Sequence, residues 1–180
     1  MMFFAQFLIV LLPIMIPNIL HMFVVRYDLL SSLRRPVNQK LFGANKTWRG
    51  FVVVPLLTIP VLAMSVYMDG LLPEGAQVGM GTQPLIPYAI VLGLIYCLGE
   101  LPNSYLKRRM GIAPGQQASK HQGLFIALDH VDSSVPILAF FALTLDLEPF
   151  AYFQIWLSGV SLHFVINYLL YLAGVRKSPL

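Results

Sequence analysis

The sequence predicts an all-α polytopic membrane protein, a bundle of about five transmembrane helices in a single membrane-embedded domain over residues 1–180. Three observations predict it. Of the 180 residues, 57% are hydrophobic and only 11% charged, whereas about a quarter of an ordinary globular domain is charged. The mean hydropathy is +0.72. The apolar residues gather into five runs long enough to cross a bilayer, without the period-two alternation of a membrane β-barrel. This balance excludes a soluble single-core enzyme and a nucleic-acid-binding module, despite a net charge of +4. The charge points instead to loops that face anionic lipid or a phosphorylated ligand. Cys97 is the single cysteine, so neither an intrachain disulfide nor a thiolate metal cluster is available.

The first run, Phe3 to Val25, lacks a basic leader and a small-residue cleavage pattern, and reads as a retained helix bent by Pro13 and Pro17. The second runs from Phe51 to Met68 and the third from Pro84 to Leu106. The fourth covers Gly123 to Leu145 and the fifth Phe150 to Ala173. Between the second and third, Asp69 to Gln83 holds four glycines and a proline and reads as an irregular external turn. No internal repeat or low-complexity linker interrupts the chain.

Charge then orients the bundle. Arg26, Arg34, Arg35, Lys40, Lys46 and Arg49 fall between the first two helices, Lys107, Arg108, Arg109 and Lys120 between the third and fourth, and Arg176 and Lys177 after the fifth. These are all twelve basic residues. The other two connections carry only Asp69, Glu74, Asp146 and Glu148. By the positive-inside rule the N-terminus lies outside and the C-terminus in the cytoplasm, as expected for a multi-pass protein of the cell (inner) membrane.

Three acids lie in or at the edge of apolar spans: Glu100, Asp129 and Asp132. An ionised carboxylate at the centre of a span costs about 2.5–3.5 kcal/mol on insertion scales. Asp129 and Asp132 are three residues apart and share a helical face, where they repel unless a proton or a cation lies between them. The predicted helix contains no basic residue, so a divalent metal is the economical partner, and Mg²⁺ suits carboxylates together with phosphate oxygens. A protonated or water-exposed pair near a helix end is the other reading. His130, between the acids, points to another face, and His21 and His163 fit packed positions in apolar spans.

Glu100, Asn103, Ser104 and Lys107 recur at i, i+3, i+4 and i+7, one polar stripe at the end of the third helix. Such a stripe fits a polar cavity better than lipid. Lys107 to Arg109 alone serves equally as a membrane-flanking cluster. Before the second helix stands Gly43-Ala44-Asn45-Lys46-Thr47-Trp48-Arg49-Gly50: glycines permit close approach, and a helix N-terminus favours anions. It lacks the Walker A order, and an interfacial Trp48 with flanking cations is the alternative. All three features fall at the predicted cytoplasmic face, where phosphoryl or nucleotidyl transfer needs cations for phosphates and acids for a metal.

Lys46-Thr47-Trp48-Arg49-Gly50 resembles the K-T-x-x-G element of CDP-diglyceride synthetases and their smaller relatives, the CDP-archaeol synthases. Ser104-x-x-Lys107-Arg108-Arg109 followed by Asp129-x-x-Asp132 is similar to the S-x-x-K-R … D-x-x-D signature of the same group. The small members also have a comparable length and about five membrane helices. The resemblance covers most of the chain, with its specific matches in these two regions. It implies a cytidylyltransferase-like domain that moves CMP from CTP to a phosphatidate-like or archaetidate-like lipid phosphate in the cytoplasmic leaflet, releasing pyrophosphate and a CDP-lipid for phospholipid synthesis. On this likeness Lys46, Ser104, Lys107, Asp129 and Asp132 are the catalytic set. Lys46, Arg49, Lys107 and Arg108 hold phosphates, Asn45, Thr47, Asn103 and Ser104 orient them, and Gly50 and Arg109 complete the substrate-binding residues. Asp129 and Asp132 carry Mg²⁺, with Glu100 a further candidate ligand.

The chain departs from the pattern in two places. Gly99-Glu100 stands where many members have Gly-Asp, and the stretch from Gly115 to Leu128 is longer than in the shortest relatives. A non-catalytic small transporter or scaffold also accommodates intramembrane acids, and a homodimer would supply the helices that five alone do not. It does not call for phosphate-type motifs confined to one face. A CDP-alcohol phosphatidyltransferase would need a D-G-x-x-A-R element that this chain lacks.

Overall fold

The computed structural model describes residues 2–116 and 122–175, and no strand occurs among them. Lys120, His121, Arg176 and Lys177 lie outside the described residues. Helices α1 (Met2–Arg26), α3 (Trp48–Gly70), α4 (Leu85–Arg109) and α7 (Pro149–Leu172) are long single spans, and α2 (Gln39–Phe42) is one turn in the loop before α3. The fourth span, Gln122–Thr144, makes five segments long and apolar enough to cross a membrane.

That fourth span is not the continuous helix expected over Gly123 to Leu145. It divides into α5 (Gln122–Val131) and α6 (Ser134–Thr144). Pro136 has no N–H to offer the Asp132 carbonyl. The Asp132 carboxylate accepts from the Ser133 N–H at 2.6 Å, and the Ser134 hydroxyl donates to the Val131 carbonyl at 2.9 Å. Local side-chain bonds replace the helical ladder at the break. α4 instead exceeds expectation, continuing through Lys107 to Arg109 and carrying its polar stripe in register into the basic cluster.

α3 packs between α1 and α4 and makes the most extensive contacts in the bundle. Ile9 and Val10 of α1, Leu62 of α3, Leu92 of α4 and Phe141 of α6 are almost wholly buried in one apolar core. Leu56, Ile86, Leu143 and Phe150 face outward, as lipid contact requires.

The two ends are held differently. At the basic end the loop before α3 folds back on itself: the Val37 N–H donates to the Lys46 carbonyl at 2.8 Å and the Trp48 N–H to the Arg35 carbonyl at 3.0 Å. Asn38 caps α2 through the Leu41 N–H. These bonds fix the approach to Lys46. At the opposite end, Asp69 is no loop residue but the buried last turn of α3, where its carboxylate accepts from Val78 N–H at 2.8 Å and Met80 N–H at 2.9 Å. The expected irregular turn is thus a packed cap, containing two short 3₁₀ turns and the buried Val78 and Met80. Gln6 of α1 donates to the Ala76 carbonyl, the Tyr88 hydroxyl of α4 meets Thr144 of α6, and the Tyr152 hydroxyl of α7 donates to the Leu145 carbonyl.

Asp69→Ala should leave two buried N–H groups unpaired, at about 1–3 kcal/mol each. The expected result is a lower thermal unfolding midpoint in detergent; an unchanged midpoint would show that the cap does not secure this end.

Candidate functional site

α4 supplies one wall of the site. From its stripe, Glu100 accepts a hydrogen bond from Lys46 Nζ at 2.5 Å. One turn further, Asn103 Nδ2 donates to Asp129 Oδ1 at 2.6 Å and to Asp132 Oδ2 at 3.0 Å. Lys107 Nζ then reaches both Asp129 oxygens, at 2.5 and 2.6 Å. One amide therefore bridges two like charges, and one ammonium neutralises the nearer of them. Asp132 is additionally held by the Ser133 N–H at the helix break.

Glycine at position 99 allows this closeness. A Cβ there would stand 2.9 Å from Ser133 Cα and 3.1 Å from the Asp132 carbonyl oxygen, so a side chain would push the break away from α4. Gly43 plays a similar part in the loop. Its φ of +90° is left-handed, and a Cβ would meet Arg108 Nη1 at 3.0 Å.

Asn45, Lys46, Glu100, Asn103, Ser104, Lys107, Arg108, Asp129 and Asp132 all border one polar cavity of about 380 Å³. Thr47 and Gly50 border an adjoining hollow with Lys46 and Glu100. Two of the predicted substrate-binding residues lie elsewhere. Arg49 is 4% exposed and donates to Asp28 and to the Leu29 carbonyl, both at 3.0 Å. Arg109 is exposed and lies over the Tyr105 ring at 5.0 Å. The helix explains both, since each residue turns the chain by about 100° and carries neighbours of a motif to different faces.

Glu100, expected as a further metal ligand, borders the same cavity as the two aspartates and is paired with Lys46. Among the described residues no three His, Cys, Asp or Glu side chains come together as a metal site. Asp129 and Asp132 remain adjacent, and the Asn103 Oδ1 beside them is buried without a hydrogen-bond partner among the described residues. Two carboxylates and an orphaned amide oxygen are hard donors of the kind Mg²⁺ takes, together with phosphate oxygens.

The electrostatics follow from the pairing. Burial works against the charge on Lys46, but the Glu100 carboxylate outweighs it and holds the ammonium above the ordinary lysine range. Lys46 and Lys107 are thus each committed to an acid. Arg108 is not: its Nε and Nη1 are shielded from solvent and have no hydrogen-bond partner among the described residues. Sequence reasoning also missed Asn18, Tyr96, His163 and Asn167, which border the cavity from α1, α4 and α7. A lone amide in an apolar span was the available signal, because its cost calls for a partner or a role.

Fold and site together define a multi-pass membrane protein with a charged polar cavity within the basic end of a five-span bundle. The CarS-like family model, described as CDP-archaeol synthase, matches residues 1–180, and the chain belongs to that family. A CDP-archaeol synthase of Staphylothermus marinus is 26% identical over 141 residues, covering 76% of this chain and 69% of that protein. No solved structure matches. The family implies CTP-dependent cytidylyl transfer to a lipid phosphate.

The pairing of Lys46 with Glu100 is testable apart from activity. Lys46→Met should lower stability by about 3 kcal/mol, the lower end for a broken buried pair, because the two side chains keep 20% and 29% exposure. Lys46→Met combined with Glu100→Gln should recover most of the loss in thermal unfolding. A double variant as unstable as the single one would refute the pairing.

Proposed function

We propose that the protein is a Mg²⁺-dependent cytidylyltransferase that joins CMP from CTP to a membrane lipid phosphate, giving a CDP-lipid and pyrophosphate. The relative's name favours an ether-linked, archaetidate-like lipid, with a diacyl phosphatidate as the other candidate. The observation that carries the reading is Arg108, on the same cavity as the aspartate pair, whose shielded Nε and Nη1 have no hydrogen-bond partner among the described residues. A guanidinium without a carboxylate is a receptor for phosphate, which it can bind with two parallel hydrogen bonds.

The lipid phosphate is already anionic at neutral pH, so no strong base is needed. Its oxygen attacks the α-phosphorus of CTP, the bond to the β-phosphate bridging oxygen breaks, and pyrophosphate leaves with that electron pair. Arg108 holds a phosphate, and Asn45 and Ser104 stand beside it as hydrogen-bonding groups that fix orientation. Lys107 can exchange an Asp129 oxygen for a phosphate oxygen as charge develops on the leaving group. Asp129 and Asp132, with the Asn103 amide oxygen nearby, would hold Mg²⁺, which would supply positive charge against that of the triphosphate. The positive-inside rule puts this end at the cytoplasmic leaflet of the cell membrane, where CTP is available.

Purified protein given labelled CTP and a panel of diether and diester lipid phosphates should form a CDP-lipid, and chelation of Mg²⁺ should stop it. Asp132→Asn should abolish turnover with the fold intact by circular dichroism. Arg108→Met should weaken phosphate-substrate binding by at least tenfold, in line with about 1.5–3 kcal/mol for a charged hydrogen bond. Absence of product from every lipid phosphate would overturn the reading; full activity in Asp132→Asn would overturn the metal assignment.

A further inference from the structure

Below the polar cavity lies an apolar groove between α1, α6 and α7, walled by residues such as Leu11, Ile14, Ile137, Phe141, Ile155 and Trp156. Cavity and groove share three residues: Asn18 of α1, Tyr96 of α4 and His163 of α7. These mark the level at which polar surroundings give way to hydrocarbon. Asn18 lies eight residues before the end of α1 at Arg26, about 12 Å along the helix axis.

The three collar residues differ in what they have left to offer. Tyr96 faces Glu100 one turn along α4, and His163 packs 5.1 Å from the His130 ring. Asn18 is half-buried, borders both spaces, and makes no side-chain hydrogen bond among the described residues. A carboxamide in a membrane span costs free energy that its neighbours here do not offset. Arg108 is one residue from the end of α4 whereas Asn18 is eight from the end of α1, so Asn18 sits deeper than the guanidinium, at the mouth of the groove, and is too polar for the chains in it.

A lipid phosphate has one chemical feature at that depth: the oxygens that link its hydrocarbon chains to the glycerol backbone. Resting on the lipid-cytidylyltransferase reading, we infer that Asn18 is a substrate-binding residue, whose amide N–H donates to a linkage oxygen of the lipid substrate. It thereby sets how deep the headgroup sits relative to Arg108 and the aspartates. The groove then takes the chains and the cavity takes the phosphate, with Asn18 fixing the boundary between them. An ether oxygen and an ester oxygen both accept such a bond, so the contact selects glycerol-linked phosphates over simple alkyl phosphates rather than one linkage over the other.

The test compares a dialkylglycerol phosphate with an alkyl phosphate of equal chain length that lacks linkage oxygens. Each is measured against wild type, Asn18→Leu and Asn18→Gln in nanodiscs. Wild type should prefer the glycerol-linked lipid by about tenfold, the scale of one good hydrogen bond. Asn18→Leu should lose that preference with the KM for CTP unchanged, and Asn18→Gln should recover part of it. A merely structural Asn18 would shift the thermal midpoint or both substrates together. Preference kept in Asn18→Leu, or absent in wild type, overturns the inference. Lipid binding by competition is read alongside turnover. Failure of turnover with both lipids counts against the cytidylyltransferase reading, while binding still decides the role of Asn18.

Discussion

The basic end of the bundle depends on the tie between α4 and α5, in which Asn103 spans Asp129 and Asp132 while Lys107 neutralises Asp129. Two carboxylates on one face within a membrane span repel each other and lose hydration, and neither penalty is met by α5 itself. The stripe on α4 answers both. It can do so only because α4 stays helical through Lys107 and because Gly99 lets the break at Asp132 and Ser133 lie directly against it. The helix break, the missing side chain at position 99 and the extension of α4 are three parts of one solution.

The same tie determines what remains for a ligand. With Lys46 and Lys107 already paired, the cavity is close to charge balance, and an incoming phosphate finds Arg108 free but must otherwise exchange partners with carboxylates already in place. Such exchange costs less than creating a charge site anew, since the groups are desolvated and oriented beforehand. It also explains why the cavity can sit among apolar helices without an uncompensated field.

The spans were legible because hydropathy is a local property averaged over many residues, and the α4 stripe because its period of 3.6 is fixed by helix geometry. The residues of the site that the structure gathers were legible for the same reason: i, i+3 and i+4 spacing carries a face with it. Arg49 and Arg109 were misplaced because a motif records adjacency in sequence, while a helix sends adjacent side chains to different sides. The break at Asp132 was written in Ser133, Ser134 and Pro136, but the apolar length of the span outweighed it. Asp69 looked like a loop acid because nothing local reveals that its carboxylate meets backbone N–H groups nine and eleven residues on. Asn18 carried no motif, and its position between cavity and groove arises only from the packing of α1 against α4 and α7.

The cap built on Asp69 has a mechanical consequence. At that end Gln6, Tyr88, Thr144 and Tyr152 stitch every span to a neighbour or to the cap through bonds that no phosphate or metal competes for. At the other end the fastenings include ion pairs that an ionic ligand can trade, beside the bonds from the Arg26 guanidinium of α1 to the Ala173 and Gly174 carbonyls just past α7. The far rim therefore keeps the helices in register whichever partners the ion pairs at the near rim take.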